Sequence, residues 1–260
     1  MGDRSSIEWT DSTWNPVTGC TKVSTGCDNC YAHTLAHGRL RDVYGRKLPV
    51  KNNLSNQRDP FAVRLWPERL RQPTMWTEPR MIFVNSMSDL FHKDIPEDYV
   101  RRVFEVMNEA TQHVYQILTK RPARAIRFYE RNADLFEGRP LPEHIWLGAS
   151  VENQDVVYRV RHLSMVPAHV RFLSCEPLLG RLALELEGID WVIVGGESGI
   201  GYRPMKEEWA LDILRQSRAA GVPFFFKQWG GRTPRAGGRL LGGQTYDEWP
   251  AVIACLAHVA

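Results

Sequence analysis

The sequence lacks the features that mark membrane and secreted proteins. None of its apolar runs approaches the roughly 20 residues that a membrane-spanning helix needs. Its first eleven residues are polar, without the apolar stretch of a secretory signal. The 260 residues hold only five cysteines, an odd number, whereas a secreted disulfide framework has more cysteines in even number. We therefore expect a cytoplasmic protein that does not contact a membrane.

Acidic residues are scarce in one stretch. Residues 38–80 contain ten Lys or Arg and four Asp or Glu, a net charge of +6, so the rest of a chain whose net charge is +3 carries −3. The stretch has little apolar periodicity and several turn formers, such as Gly45, Pro49 and Pro60. We therefore predict that residues 38–79 form a basic insertion or lid. An uneven charge of this kind favours a local anionic partner.

The basic insertion also alternates cations with aromatic rings. Cations bind phosphates and rings stack on bases, so the pattern predicts a nucleic-acid surface, for DNA or RNA. The candidate contacts are Arg46, Lys47, Arg58, Arg64, Trp66 and Arg69. The alternatives are a solvated charged face and a structural insertion in which Trp66 is buried.

After residue 80, short apolar runs alternate with segments of helical spacing. The runs predict strands at 80–85, 114–118, 144–148, 170–174, 191–194 and 223–226. The spacing predicts helices at 96–110, 122–132, 153–163 and 206–220, and one more, at 29–41, follows the first cysteines. Such alternation favours parallel strands joined by right-handed crossovers. We predict an α/β fold, a partial or open β/α barrel with parallel strands and an N-terminal cysteine-cluster loop, over a single domain of residues 1–260. A doubly wound sheet is the alternative.

Polar residues follow nearly every predicted strand, and in parallel α/β folds this edge of the sheet forms the active face. Carboxylates follow three of the strands at equivalent places. The carboxylates are Glu152, Glu176 and Glu197, and the cations near them are Lys120, Arg121 and Lys227. The carboxylates are candidates for binding a ligand's ammonium group, and the cations for binding a carboxylate or a phosphate. Ion pairs among these rim residues are the alternative.

Three of the five cysteines have the spacing C-x6-C-x2-C, at Cys20, Cys27 and Cys30. Thiolates are the protein ligands of iron–sulfur clusters, and in a reducing compartment a tight group of cysteines points to metal. Three cysteines on a four-iron cluster leave one iron free to bind a small chelating molecule. The alternative is zinc, for which His33 would complete a Cys3His site. The two isolated cysteines are expected to be packing residues: Cys175 and Cys255.

The segment Cys27-Asp-Asn-Cys30-Tyr31 resembles the cysteine motif of the radical S-adenosylmethionine superfamily, and it is most similar to the spore photoproduct lyase branch. The common spacing in that superfamily is C-x3-C-x2-C, so the x6 gap is a departure. Gly195-Gly196-Glu197 resembles the Gly-Gly-Glu element that holds the methionine amino group, although here it comes late in the chain. The resemblance implies a 4Fe-4S cluster, S-adenosylmethionine as cofactor and an external electron donor.

The whole stretch from Ile7 to Pro250 resembles a phage-associated three-cysteine-motif family, a domain of unknown function. The matching segments are 7–20, 82–92, 118–122, 146–153, 176–180, 191–198 and 225–229. This resemblance implies a phage or bacterial setting and a partner protein encoded in a neighbouring gene. We therefore expect an iron–sulfur enzyme of the radical S-adenosylmethionine type that acts on nucleic acid, in DNA repair or modification. The alternative is a non-catalytic zinc- or cluster-containing nucleic-acid-binding protein that works with a partner.

Overall fold

Nine strands and seven α-helices make up the part of the chain that the computed structural model describes, residues 5–252. In chain order the strands are β1 (Ser12–Trp14), β2 (Val17–Thr18), β3 (Arg64–Leu65), β4 (Met81–Val84), β5 (Val114–Thr119), β6 (Ile145–Ser150), β7 (Arg171–Cys175), β8 (Trp191–Gly195) and β9 (Phe224–Gln228). The helices are α1 (Tyr31–His37), α2 (Arg41–Tyr44), α3 (Leu54–Arg58), α4 (Glu97–Glu109), α5 (Pro122–Arg131), α6 (Tyr158–Ser164) and α7 (Glu207–Ala220). Over these described residues, none of the helices combines the length and the apolar character needed to cross a membrane.

Seven of the strands form one sheet in the order β1-β4-β5-β6-β7-β8-β9, and every neighbouring pair is parallel. From β4 to β9 each strand lies beside the next one along the chain, as in a barrel, with β1 beside β4, and the sheet curls into a half-barrel. A doubly wound sheet would instead reverse its order partway. The predicted partial barrel of parallel strands is therefore confirmed. Strands β2 and β3 form a separate antiparallel pair.

The two faces of the seven-stranded sheet carry separate cores. Helices α4, α5, α6 and α7 pack on one face, over aliphatic side chains such as Ile117 and Leu147. The opposite face is aromatic and buries Trp146, Phe172, Trp191 and Phe225. Gly148 makes room for this second core, because a Cβ there would lie 2.4 Å from the ring of Phe172. Strands that are buried on both faces read as continuous apolar runs, which is why the sequence pattern located them.

Two predicted helices differ from the observed ones. The helix predicted over 29–41 is two short helices, α1 and α2, since Gly38 ends the first and glycine is a poor helix former. The helix predicted over 153–163 begins only at Tyr158, because Gln154–Val156 wind into a tighter 3-10 turn. The helices predicted for α4, α5 and α7 agree with the observed ones to within one residue at each end.

The basic insertion, residues 38–79, contains α2, α3 and β3 and packs against the N-terminal part of the chain. Strand β3 pairs with β2, which directly precedes the first cysteines. Its buried aromatic side chains Tyr44, Phe61 and Trp66 share a small core with α1, and Cys20 and Cys30 lie partly buried against that core. The insertion therefore forms one wall beside the cysteines.

Candidate functional site

Residues 20–30, here named the cysteine loop, lie across the carboxyl ends of the parallel strands. Hydrogen bonds tie this loop and the first residue of α1 to the segments that follow four of the strands. They join Tyr31 Oη to the Ser86 carbonyl after β4, Arg121 Nη2 to the Thr21 carbonyl after β5 (3.0 Å), the Gly26 N–H to Glu152 after β6 (3.3 Å) and Asn29 Nδ2 to Glu197 after β8 (2.9 Å). The cysteines therefore lie at the edge of the sheet that forms the active face in parallel α/β folds.

Two glycines let the cysteine loop approach its neighbours closely. Gly19, directly before the loop, has φ of +87°, and a Cβ there would lie 2.2 Å from the Ala62 carbonyl oxygen. A Cβ at Gly26 would lie 2.7 Å from Cδ of Glu152. A larger residue at either position would push the loop away from the insertion or from the end of β6.

The three thiols of the loop are half-buried and free of disulfides. Burial raises the pKa of Cys20 to about 11, with a further increase from Asp89 and an opposing effect of Arg121. Burial also raises the pKa of the Cys30 thiol. Hydrogen bonds from backbone N–H groups at the start of α1 have the opposite effect and lower it. A thiolate at Cys27 would raise the pKa of both of the other thiols slightly further. A bound cation would favour three thiolates, so the loop has the donor set of a metal site whose ligands release protons on binding.

His33, the alternative zinc ligand, packs against residues other than the cysteines. Its ring stacks on that of His37 with the centroids 4.0 Å apart and meets Phe61 edge-on at 5.5 Å. Burial and the nearby His37 lower the pKa of His33. Between residues 5 and 252, no three His, Cys, Asp or Glu side chains are arranged to hold a metal ion as they stand. Neither the three cysteines alone nor the predicted Cys3His set is therefore assembled as a metal site in this conformation of the described residues.

Cys175 fits the prediction of a packing residue. It is fully buried on β7, and burial followed by the charge of Glu152 raises its pKa to about 12. A thiol that is fully enclosed on a central strand, outside the cysteine loop, is inert. Cys255 lies outside the residues that the structure describes.

Glu152 is the most deeply buried of the candidate carboxylates, with 0% of its side chain exposed. Its Oε2 accepts from Lys120 Nζ at 3.1 Å and from Arg159 Nη1 at 3.0 Å, while its Oε1 accepts from the Gly26 N–H. Burial alone would raise the pKa of Glu152, but the nearby cations outweigh it and hold this pKa below its usual range. Lys120 has the largest effect among these cations. Sequence reasoning missed Arg159, because a cation in a helical segment reads as a solvated residue. Glu152 therefore joins the cysteine loop to Lys120 and Arg159 through hydrogen bonds.

Glu197 is likewise occupied, by Arg203. Nε of Arg203 donates to Glu197 Oε2 at 3.0 Å, and its backbone N–H donates to the same oxygen at 2.8 Å. Asn29 of the cysteine loop donates to this carboxylate as well. Sequence reasoning missed Arg203; the available signal is the pair Gly199 and Gly201, whose positive φ angles turn the chain back toward Glu197.

Gly195 and Gly196 are required by the packing of the strand ends. A Cβ on Gly196 would lie 1.9 Å from the Trp229 carbonyl oxygen, and one on Gly195 would lie 3.2 Å from Cδ of Glu176. The Gly-Gly-Glu segment therefore brings the end of β8 close to the chain after β9. This packing also places Glu197 against the cysteine loop.

Glu176 is the most exposed of the three candidate carboxylates, at 20% of its side chain. Lys227 Nζ contacts both of its oxygens, at 2.7 and 3.0 Å. Beside this pair, Gln228 Nε2 donates to Ser198 Oγ at 3.1 Å, while Gln228 Oε1 is buried without a hydrogen-bond partner among the described residues. Glu176 also acts electrostatically on Tyr31, next to the last cysteine of the loop. This part of the rim therefore contains a carboxylate and an ammonium that pair with each other, beside a buried acceptor.

Three of the predicted nucleic-acid contacts serve the interior of the insertion. Arg64 is 1% exposed, and its guanidinium donates to backbone carbonyls of the insertion. Trp66 is 5% exposed, and its Nε1 donates to Thr18 Oγ1 at 2.8 Å. The guanidinium of Arg69 lies over the Trp66 ring, 3.6 Å from its centroid. Buried side chains do not stack on a base or reach a phosphate. Arg64 and Trp66 therefore fit the alternative of a structural insertion better than a nucleic-acid surface.

The other three predicted contacts lie nearer the surface. Arg46 and Arg58 are exposed. Lys47 is half-exposed and pairs with Glu68 at 2.9 Å. A nucleic acid that contacts the insertion would therefore find exposed positive charges at Arg46 and Arg58.

Replacing Trp66 by alanine is expected to lower the free energy of unfolding by about 3–5 kcal/mol, the usual cost of emptying a buried aromatic site. The change also leaves the Thr18 hydroxyl without its indole donor. Urea unfolding measures the effect. Met75→Ala is the control, because its side chain is 68% exposed and its loss should change stability by less than about 0.5 kcal/mol. An unchanged midpoint for Trp66→Ala would show that the ring is not part of the core.

Comparison with known families matches nearly the whole chain, residues 4–250, to a family described as "Protein of unknown function (DUF5131)". The chain belongs to this family. Searches of curated proteins and of solved structures found no match. The expected membership of a family of unknown function is thus confirmed. The DUF5131 description names no reaction, so a function for this member has to be argued from the cysteine loop and the strand ends around it.

Proposed function

We propose that this DUF5131 protein is an iron–sulfur enzyme of the radical S-adenosylmethionine type that acts on nucleic acid. The observation that carries the proposal is the position of the cysteine loop. The loop carries three free thiols and lies over the carboxyl ends of a sequentially ordered parallel half-barrel. Other residues of the loop, together with Tyr31, contact the segments after four strands. Reactive groups collect at this edge in parallel α/β enzymes.

The donor set of the loop fits a 4Fe-4S cluster. Cys20, Cys27 and Cys30 would supply three thiolates and leave one iron for a small chelating ligand. Lys120 acts electrostatically on the Cys30 thiol, and Arg121 lies beside Cys20 Sγ, so these two cations would offset part of the negative charge of such a cluster. A 4Fe-4S cluster held by Cys20, Cys27 and Cys30 would supply one-electron reduction of the sulfonium of S-adenosylmethionine, with an external donor as the source of the electron.

Zinc is the weaker candidate for the same thiols. A Cys3His site would need His33, whose ring is engaged by His37 and Phe61. The three cysteines alone provide three of the four ligands that a structural zinc ion takes. The arrangement of His33 therefore favours the cluster over zinc.

The pair Glu176 and Lys227 is the best candidate for holding the methionine part of S-adenosylmethionine. That part is a zwitterion, so its ammonium suits a carboxylate and its carboxylate suits a lysine. Glu197, which the Gly-Gly-Glu resemblance favoured, is taken up by Arg203 and Asn29. Glu152 is enclosed by Lys120 and Arg159. Glu176 is left as the most accessible carboxylate of the rim.

Glu176→Gln is expected to weaken S-adenosylmethionine binding by about 1.5–3 kcal/mol, the range for a hydrogen bond to a charged group. Iron content should not change, because Glu176 is not a cluster ligand. Equilibrium dialysis of labelled S-adenosylmethionine against reconstituted protein measures the affinity. Glu185→Gln, at an exposed position, is the matched control. Equal affinities in the two variants would move the ammonium site away from Glu176.

The nucleic-acid part of the proposal rests on the exposed cations of the insertion. Changing Arg46 and Arg58 to Glu should weaken binding to DNA or RNA of any sequence, since phosphate contacts carry no base information. If each contacts one phosphate, the slope of log affinity against log salt should flatten by about 1.4–1.8. Arg139→Glu with Arg215→Glu, two exposed positions outside the insertion, is the charge-matched control. Wild-type protein that binds no nucleic acid even at low salt would remove this part of the proposal.

The decisive test of the reaction class is the product 5′-deoxyadenosine. Protein reconstituted anaerobically with iron and sulfide should become brown and, with S-adenosylmethionine and dithionite, should release 5′-deoxyadenosine. A colourless protein with one zinc per chain and no such product would instead support a non-catalytic zinc protein. A brown protein that forms no product with any nucleic acid or reductant would support a cluster-containing binding protein that works with a partner protein.

A further inference from the structure

Arg121, between β5 and α5, touches both the backbone and a sulfur of the cysteine loop. Its Nη1 lies 3.6 Å from Cys20 Sγ and 2.8 Å from Asp89 Oδ2. Its Nη2 donates to the Thr21 carbonyl at 3.0 Å and contacts Thr21 Oγ1 at 3.3 Å. Only 10% of the side chain is exposed. The guanidinium thus contacts the first two residues of the loop, Cys20 and Thr21.

Asp89 fixes the orientation of this guanidinium. Its carboxylate accepts from Thr119 Oγ1 at 2.7 Å, from the Phe91 N–H at 3.0 Å and from the Lys120 N–H at 3.1 Å. A carboxylate held by three donors of the protein cannot turn, so Arg121 has one favourable direction for its remaining donors. That direction leads to Cys20 and Thr21.

These contacts leave Arg121 little capacity for an external anion. Both terminal nitrogens already bond to the loop and to Asp89. The prediction that Arg121 binds a ligand carboxylate or a substrate phosphate therefore fits the geometry less well than a role toward Cys20. The contact with sulfur, rather than with a ligand oxygen, is the feature that needs a function.

We infer that Arg121 is a positioning residue that holds Cys20 and raises the reduction potential of the cluster bound to it. The inference rests on the iron–sulfur function proposed above. Hydrogen bonds and positive charge at a cluster sulfur stabilise the reduced state, which carries the extra negative charge. Without Arg121, the hydrogen bond is lost and the negative charge of Asp89 stands uncompensated near the sulfur. Both changes make the reduced cluster less stable and therefore lower its reduction potential.

The test compares reduction potentials of reconstituted Arg121→Gln, Arg121→Lys and wild-type protein, followed by visible absorbance and electron paramagnetic resonance under mediated titration. We expect iron to be retained in Arg121→Gln and its ratio of reduced to oxidised cluster to fall about tenfold at the wild-type midpoint, about 59 mV for one electron. Arg121→Lys keeps the positive charge, so its reduction potential should lie between those of Arg121→Gln and wild type. Arg124→Gln is the control, since Arg124, on the helix α5 that follows Arg121, donates to the Phe91 carbonyl.

A double variant, Arg121→Gln with Asp89→Asn, guards against misfolding, because it leaves no unpaired buried charge. It lacks the hydrogen bond to sulfur and should still have a lower potential than wild type. The inference is overturned if wild-type protein binds the cluster but Arg121→Gln and the double variant both have the reduction potential of wild type. Loss of iron and a lower melting temperature in all Arg121 variants, Arg121→Lys included, also overturns it, as a purely structural role. Wild-type protein that takes up no cluster overturns the proposed function itself.

Discussion

Alanine at Cys27 is expected to remove most of the iron from the reconstituted protein, from about four irons per chain to well below one. Cys27 lies between the other two cysteines along the loop. Without it, only Cys20 and Cys30 remain, which is too few protein thiolates to hold a four-iron cluster against exchange. Cys20→Ala and Cys30→Ala should behave in the same way. Iron and sulfide analysis and the visible absorbance measure the loss.

Cys175→Ala is the matched control for these three variants. Its thiol is fully buried on β7, outside the cysteine loop, so iron binding should be unchanged. A thermal melt by circular dichroism shows whether any variant is unfolded. Full iron retention in Cys27→Ala would exclude Cys27 as a ligand. If Cys175→Ala lost its iron in a folded protein, the ligand set would have to be redrawn.

The fold was predictable because its strands are buried on both faces. Each strand from β4 to β9 then reads as a largely apolar run between polar segments. A helix joins every neighbouring pair of these strands except β7 and β8, and such crossovers give parallel neighbours. The order of the sheet follows from these short crossovers. The path of residues 38–79 was not predictable, because it depends on β2 pairing with β3 across most of the insertion. Local periodicity carries no signal of such a contact.

The strand-end rule predicted which segments would meet the cysteine loop, but not which side chains would pair. Glu152 and Glu197 were expected to face a ligand, and each is paired with an arginine, Arg159 and Arg203. Arginine has five donors and a planar head, so it can satisfy a buried carboxylate or a set of backbone carbonyls as well as a phosphate. Arg64 shows the same ambiguity inside the insertion. Composition alone cannot distinguish these environments.

Glu152→Gln is expected to lower the free energy of unfolding at pH 7 by about 3–5 kcal/mol, the usual cost of breaking a buried ion pair from one side. Glu152 and Arg159 have 0% and 1% of their side chains exposed, so the variant leaves the Arg159 charge buried without its partner. Lys120 is 18% exposed and can turn toward solvent. Glu152→Gln with Arg159→Met should therefore recover part of the loss, because no buried charge remains.

The pH dependence of this effect follows from the pKa of Glu152, which the surrounding cations hold below its ordinary value of about 4.3 in the folded protein. A carboxylate of this kind stabilises the fold fully above its unfolded-state pKa, and the stabilisation is lost as pH falls through the lower folded-state pKa. The difference between wild type and Glu152→Gln should be constant above about pH 5 and shrink below about pH 4. Urea unfolding at several pH values measures it, with the exposed Glu185→Gln as control. If Glu152→Gln were as stable as wild type at pH 7 and showed the same acid dependence, Glu152 would carry no charge in the folded protein, and the cysteine loop would rest on a neutral hydrogen bond to Gly26.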